Sequence, residues 1–335
     1  MGLQIGDIVP RKEVTFEELK GRVIAVDAFN AIYQFLSSIR QPDGTPLMDS
    51  KGKVTSHLSG LFYRNMALLS EGIKLIYVFD GEYHSLKGKT HEARADARGQ
   101  MQEKFRTALE EEDIENMRKY APSLSRLDEE KIKESKELLE AMGIPTYQAP
   151  GEGEMQCAEL VKIGEAWAVG SQDYDALAVG GRRLIQNLTL ARKRKTASGF
   201  VYIAPEIIEY EKLLNELGID SDQLICLSIL VGTDFNPGGV KGIGPKKALA
   251  LVRQMRYPVR IFKDVEERID FNWQEVFEIF KKPNVSRQKV EFPKMNQEKI
   301  REILVERHEF SIERINNQFE KLKESKKENE QRKLF

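Results

Sequence analysis

Short apolar runs, each closed by an acid or a small polar residue, recur through the first half of the chain. Val23-Ile24-Ala25-Val26 ends at Asp27, Leu75-Ile76-Tyr77-Val78-Phe79 ends at Asp80, and Trp167-Ala168-Val169-Gly170-Ser171 leads to Asp173 and Asp175. Runs with no polar alternation suit strands buried on both faces, as in a largely parallel sheet. A fourth run, 225–231, precedes Asp234 and reads as a helix. Between the first two strands, 28–39 carries Phe29, Ile32, Tyr33 and Leu36 at helical spacing, and 56–71 repeats that pattern. The turn signals Pro42-Asp43-Gly44 and Lys51-Gly52 make 41–53 a loop or small hairpin. The order is βαβ, with its right-handed crossover. The fold class is α/β: a central, mostly parallel sheet flanked by helices.

Residues 82–130 change character. The polar stretch 82–90 is broken by Gly88, 92–120 is charge-rich and helix-prone with a thin apolar stripe, and Ala121-Pro122-Ser123 breaks it. A helix follows over 127–142 with Gly143 as its cap. This excursion reads either as a solvated surface feature or as a mobile element beside a site, because it starts directly after Asp80. Glu152 and Glu154 open the next helix. After Asp175 come a short helix, a hairpin rich in Arg and Lys, and a helix over 205–217. Residues 224–255 read as helix, glycine-rich turn, helix, and helical pattern continues to 269. An irregular wrap-around segment (271–293), a helix (300–322) and a polar tail (323–333) complete the chain. The expected organisation is 1–81 and 131–270 as two parts of one core, 82–130 as an excursion, 271–322 as a wrap, and 323–335 as a flexible tail.

With 335 residues, 41% hydrophobic and 31% charged, the chain can bury a large core. No run reaches the length of a membrane span, and the N-terminus lacks a secretory pattern, so a cytoplasmic protein with no membrane partner is expected. Cys157 and Cys226 lie in apolar helical contexts and read as buried thiols. Four histidines and two cysteines make a zinc or iron–sulfur site a poor fit. The net charge of −1 hides an uneven distribution: 182–195 holds six bases and 241–256 five, neither with an acid. Acid-free basic blocks fit a polyanion-binding surface.

The seven acids Asp27, Asp80, Glu152, Glu154, Asp173, Asp175 and Asp234 supply the candidate chemistry. Each alone could be a cap or a surface residue, as Asp49 and Asp96 are read. Acids at strand ends of an open α/β sheet converge on one crevice. Their repulsion makes sense there only with cations, and oxygen donors ask for hard divalent ions such as Mg²⁺ or Mn²⁺. Two i, i+2 pairs plus neighbouring aspartates can surround two cations.

The segments AVDAFNAIYQF, VFDGE, APGEGEMQCAEL, GSQDYDALAVG and LVGTDFNPGGVKGIGPKKAL together resemble the successive signatures of the structure-specific 5′ nucleases, most nearly the archaeal flap endonucleases. The resemblance spans essentially the whole chain. It implies a nuclease core with a helical arch and a helix–two-turn–helix element. It also implies two Mg²⁺ per subunit, with Mn²⁺ as a substitute, held by the seven acids. Asp27, Asp80, Glu152 and Asp173 count with Lys87 and Arg94 as catalytic, the last two gripping the scissile phosphate from the arch base. Read without the resemblance, Lys87 and Arg94 are two bases on a charged surface. Arg98, Lys104 and Arg106 would line the arch, where Tyr83-His84 replaces the family's two prolines. Tyr33, otherwise a core aromatic, would stack on the displaced nucleotide, and Gly2 would reach the DNA.

Lys241, Gly242, Gly244, Lys246 and Lys247 would hold duplex backbone with a bound K⁺, although Pro237-Gly238-Gly239 is one residue longer than the common pattern. Arg192, Lys193, Arg194 and Lys195 would make a second contact. The C-terminus, with Gln331, Leu334 and Phe335, matches only part of the family's sliding-clamp box; a frayed tail is the alternative. The implied activity is metal-dependent cleavage of a 5′ flap at its duplex junction in Okazaki-fragment maturation and long-patch repair, with 5′–3′ exonuclease activity, by a monomer acting on flap and nicked DNA. Alternatives are a bubble- or gap-specific nuclease of the same family, a non-catalytic DNA-junction binder, and a small RNA-cleaving relative. Retention of all seven acids, a short 82–130 segment and a long C-terminal half separate the chain from these.

Overall fold

The computed structural model describes residues 3–82, 85–110, 127–189, 193–196 and 199–331, with positions 113, 116, 119, 120 and 123. In chain order the core elements are β1 (Lys12–Glu13), β2 (Val23–Asp27), α1 (Ala28–Ser38), α2 (Ser56–Ser70), β3 (Lys74–Phe79), α3 (Gly88–Glu110), α4 (Glu129–Ala141), β4 (Thr146–Gln148), α5 (Gly153–Lys162) and β5 (Ala168–Gly170). Then come α6 (Asp175–Ala178), β6 (Arg183–Gln186), β7 (Lys193–Thr196), β8 (Gly199–Tyr202), β9 (Glu206–Glu209), α7 (Tyr210–Leu217) and α8 (Ser221–Val231). The chain finishes with α9 (Pro245–Met255), α10 (Pro258–Asp264), α11 (Trp273–Lys281), α12 (Gln297–Arg301) and α13 (Ile312–Gln331).

Seven strands form one sheet in the order β1-β9-β6-β5-β2-β3-β4. From β4 across to β6 every pairing is parallel; β9 runs antiparallel to both β6 and β1. Strand periodicity divides the apolar runs between two cores. Ile24, Val26, Leu75, Tyr77 and Phe79 face α1, α2, α4, α12 and α13, whereas Ala25, Ile76 and Val78 face α5 and α7 to α11. Helices on both faces explain why β2 and β3 carry no alternation. The chain winds from β2 to β3 and β4, then returns to β5 on the other side of β2. The order therefore reverses between β2 and β5, which is where open α/β sheets place their ligand crevice.

Several expectations need correction. The helix expected over 205–217 is β9 followed by α7. Ile207 and Ile208 register against Ile185 and Leu184, so sheet pairing overrides local helix propensity. Gly88 does not break the polar stretch; it opens α3, four residues earlier than expected. The wrap-around 271–293 contains α11, whose Val276 and Phe280 are buried. The helix expected over 300–322 is interrupted by a π-helical turn (Glu302–Arg307) and by Glu309 at φ 61°. α13 carries on into the tail through Gln331, where Ser325 Oγ donates to the Ser70 carbonyl; just before it, Phe319 meets Phe62 edge-on at 6.1 Å. The segment 41–53 is indeed a small hairpin, bridged at Arg40–Pro46 and Met48–Val54. Asp49 does cap its turn, accepting from the Lys51 and Lys53 amides, but its side chain is buried against His308 Nδ1 at 3.0 Å. Both cysteines are free and buried. Among the described residues no helix is long and apolar enough to cross a membrane.

Candidate active site

Each of the seven acids stands at the carboxyl edge of the sheet or on a turn beside it. Asp27 is the last residue of β2 and caps α1, accepting from the Asn30 amide at 3.1 Å. Asp80 follows β3 and accepts from the Gly153 amide at 2.7 Å. That bond explains the glycine between Glu152 and Glu154, because a Cβ at 153 would sit 2.6 Å from Asp80 Oδ1. Glu152 is the residue before α5 and Glu154 lies in its first turn. Asp173 follows β5, and Asp175 opens α6.

Asp234 lies on the turn after α8, which starts with a capping box between Asp220 and Gln223. Asn236 holds this turn, donating to the Ile229 carbonyl at 2.7 Å and accepting from Thr233 Oγ1 at 2.7 Å. The additional glycine has a steric reason: at Gly239 (φ 54°) a Cβ would lie 2.4 Å from the Leu230 carbonyl oxygen.

The acids act on one another electrostatically. Burial, then the Asp80 charge, with Asp173 further down, raises Asp27 well above the carboxylate range. Burial and Glu152, with Asp234, push Asp80 up to about 6, against the Gly153 amide and Lys87. Burial, Asp173 and Asp234 push Asp175 up to about 7. Glu154 is raised well above its ordinary value by burial, Asp173, Asp175 and Asp27. These interactions link all seven groups.

Lys87 enters this crevice from the single 3₁₀ turn before α3. Its ammonium pairs with Glu152, lies 3.7 Å from Asp234 Oδ2 and sits 5.2 Å from the Phe235 ring centroid. Burial alone would lower the Lys87 pKa; Glu152, Asp234 and Asp80 outweigh it and hold it above the usual lysine value. Sequence reading missed the groups that aim the acids. Asn30 Nδ2 donates to Asp173 Oδ2 at 3.2 Å, and Ser171 Oγ donates to Glu154 while accepting from the Asp173 amide at 3.1 Å. Asn30 stands three residues after the cap Asp27 and Ser171 two before Asp173, but neither spacing alone marks a role. The Leu3 amide hydrogen-bonds Asp175, so the N-terminal segment reaches the crevice.

The seven acids offer only oxygen ligands, and Asp175 Oδ1 is buried without a hydrogen-bond partner. That chemistry fits hard divalent cations. Among the described residues, however, no three His, Cys, Asp or Glu side chains meet as a ready-made metal-holding group. The Lys87 ammonium draws Glu152 and Asp234 in this structure.

Tyr33 is 40% exposed on α1, so it is not a core aromatic. Lys104 and Arg106 are exposed on α3. Arg94 and Arg98 also fall on α3 and Lys193, Arg194 and Lys195 on β7, but those side chains lie outside the described residues. So do Gly2, Tyr83, His84, Arg192, Leu334 and Phe335; Gln331 ends α13. Gly242, Gly244, Lys246 and Lys247, with Asp7 from the N-terminal segment, line a concavity of about 540 Å³ leading into α9, whose first turn no side chain caps; Lys241 is exposed on the same turn. Lys247 Nζ donates to the Gly242 carbonyl at 3.1 Å.

An acid-lined crevice at the switch point of an α/β sheet, beside a lysine-bearing glycine turn, defines a hydrolase class acting on phosphoesters. Known proteins narrow it: residues 4–101 match the XPG N-terminal domain and residues 143–234 the XPG I-region. Flap endonuclease 1 of Pyrococcus furiosus is 49% identical over 334 residues, covering 99% of this chain and 97% of the relative. That of Aeropyrum pernix is 48% identical over 330 residues, covering 96% and 94%. The solved flap endonuclease-1 from Methanococcus jannaschii superposes with a TM-score of 0.76 at 40% identity, covering 97% of this chain and 98% of that one. The chain belongs to the flap endonuclease family of XPG-type nucleases.

Proposed function

We propose that the seven-acid crevice is the centre at which this chain, a structure-specific 5′ flap endonuclease of DNA replication and repair, hydrolyses the phosphodiester where a 5′ single strand leaves duplex DNA. The observation that carries this is the convergence of all seven carboxylates and Lys87 at the β2/β5 switch point. Two Mg²⁺ or Mn²⁺ ions bound there would lower the pKa of the attacking water and neutralise the phosphate and the leaving 3′ oxygen. Asp27, Asp80, Glu152 and Asp173 would hold these ions most directly, with Glu154, Asp175 and Asp234 orienting their water. Asn30 and Ser171 fix the carboxylates they contact.

Lys87 moves between two anions in this reading. Without substrate it neutralises Glu152 and Asp234; with DNA present it turns to the scissile phosphate, joined by Arg94 seven residues on. Lys87 stands on the 3₁₀ turn that runs directly into α3, and Arg94 lies in the second turn of that helix. α3 is thus the arch under which the single strand passes, with Arg98, Lys104 and Arg106 along it. Tyr33, exposed on α1, stacks on the displaced nucleotide. The turn bearing Gly242, Gly244, Lys241, Lys246 and Lys247 acts as the helix–two-turn–helix that grips duplex backbone, aided by β7. A K⁺ ion there would share the Gly242 carbonyl with the Lys247 ammonium, since a carbonyl oxygen has two acceptor sites. The C-terminal Gln331, Leu334 and Phe335 would present a partial box to the sliding clamp.

Product mapping on matched flap, bubble, gap and blunt substrates tests the proposal. A dominant cut at the flap junction, absent in excess chelator, is the expected result. Preference for the bubble or gap would transfer the chain to a different substrate class within the family.

A further inference from the structure

From Phe235 to Lys263 there is not one acid, but there are seven bases: Lys241, Lys246, Lys247, Arg253, Arg256, Arg260 and Lys263. The glycine turn uses only the first three. Arg253 is spent internally, its Nε donating to the Leu217 carbonyl at 2.6 Å and fastening the end of α7. The remaining three flank a sharp bend between α9 and α10.

Arg256 has φ 65° and ψ −48°, and the Tyr257 amide donates to the Met255 carbonyl at 2.8 Å. This is the γ-turn with positive φ at its centre, a rare and strained form. Glycine would adopt it without strain. The chain instead carries a large cationic residue there, and Pro258 immediately fixes the start of α10. Such an outlier points from strain to use. The bend leaves Tyr257 63% exposed with the Arg260 guanidinium over its ring, 5.5 Å from the centroid, and it leaves Arg256 and Arg260 at the surface.

We propose that this bend is a second backbone-binding station for the duplex, with Arg256 and Arg260 on phosphates and the Tyr257 ring against the neighbouring sugar. The inference rests on the glycine turn holding duplex DNA. α9 spans eleven residues, hence about 16 Å along its axis. That length corresponds to about five base pairs of duplex between the two stations. An uninterrupted positive stretch suits a polyanion. The apolar component, Tyr257 and Val259 within a ring of bases, is too small for the buried centre of a protein interface.

The test is equilibrium binding of wild type and Arg256→Gly/Arg260→Gln to flap DNA in Ca²⁺ across a salt series, with each duplex arm shortened in turn. Full-length arms should show about a tenfold loss of affinity and a salt slope shallower by about two, one per phosphate contact. Trimming the arm that reaches the bend should bring wild type and variant to the same affinity. Arg256→Lys should keep both affinity and slope, and Arg256→Gly alone should melt no lower than wild type, since it removes strain and not packing. An equal loss at every arm length, or no loss at any, overturns the proposal. Failure of wild type to bind flap DNA at all would instead overturn the reading of the glycine turn.

Discussion

The acidic crevice and the glycine turn meet at one loop, since Asp234 and Lys241 stand seven residues apart on it, and in the proposed function they act on the same substrate. They are built on opposite physical plans. In the crevice, like charges are buried together, their protonation is displaced by burial and by one another, and Lys87 enters among them. Its side chains are aimed by specific partners, such as Asn30 on Asp173 and the Gly153 amide on Asp80. In the turn, the charges are of one sign, exposed to solvent, and carried on backbone shaped by glycine. Buried repulsion is an unstable arrangement that a bound cation relieves, so it suits chemistry. Exposed lysines attract a phosphate chain without registering it, so they suit grip. The comparison implies that damage to the crevice appears in rate and damage to the turn appears in affinity.

The sharpest way to break that division is Asp173→Ala. Cleavage in Mg²⁺ should fall by about a thousandfold or more, while flap binding stays within a few-fold. Robust cutting by the variant would remove Asp173 from the reaction centre. Next in size is Lys87→Met. Because Lys87 lies within the crevice and pairs with Glu152, its loss should lower the single-turnover rate by about a hundredfold with a much smaller change in affinity. Equal losses in both would make Lys87 another gripping residue, and the contrast would fail.

A third effect concerns stability rather than turnover. Asp80 and Asp175 deprotonate near their ordinary 3.8 in the unfolded chain but at about 6 and about 7 when folded. The folded state therefore binds more protons between those limits. The associated stability is fully present below about pH 4 and is lost as pH rises through about 6 to 7. In chelator, the melting temperature should fall across that window by several degrees, and Mg²⁺ should recover it at the alkaline end. A chelated protein whose melting temperature is flat across the window would show that the crevice acids are already compensated.

Much of this was legible in the sequence, for physical reasons. Strands β2 and β3 are buried on both faces, so they appear as unbroken apolar runs, and their topology carries the acids that follow them to one edge. What escaped depends on distant partners. β4 is three residues long, and β9 is a strand only because β6 and β1 pair with it. Ser171 and Asn30 become positioning groups only when β5 lies beside β2. Asp49 looked like a turn aspartate and is one, yet nothing near it in sequence announces His308, 259 residues away. Spacing along the chain reports that the acids converge; it does not report how burial and their mutual charge shift their protonation.

The smallest expected effect tests the other half of the comparison. Lys246 and Lys247 are exposed and stand in the first turn of α9. Lys247 also donates to the Gly242 carbonyl, so it stiffens the turn as well as charging it. Replacing both with alanine should reduce duplex affinity by about tenfold at moderate salt and make the salt slope shallower by about two. The reaction at saturating enzyme should stay close to wild type, because neither residue is placed at the reacting phosphate. The single variants should differ: Lys246→Ala should lose charge alone, whereas Lys247→Ala should also loosen Gly242. Lys247→Ala should therefore show faster amide exchange across 240–244, which Lys246→Ala should not. Identical exchange in the two variants would reduce the Lys247 contact to a solvent-exposed pairing with no part in shaping the grip.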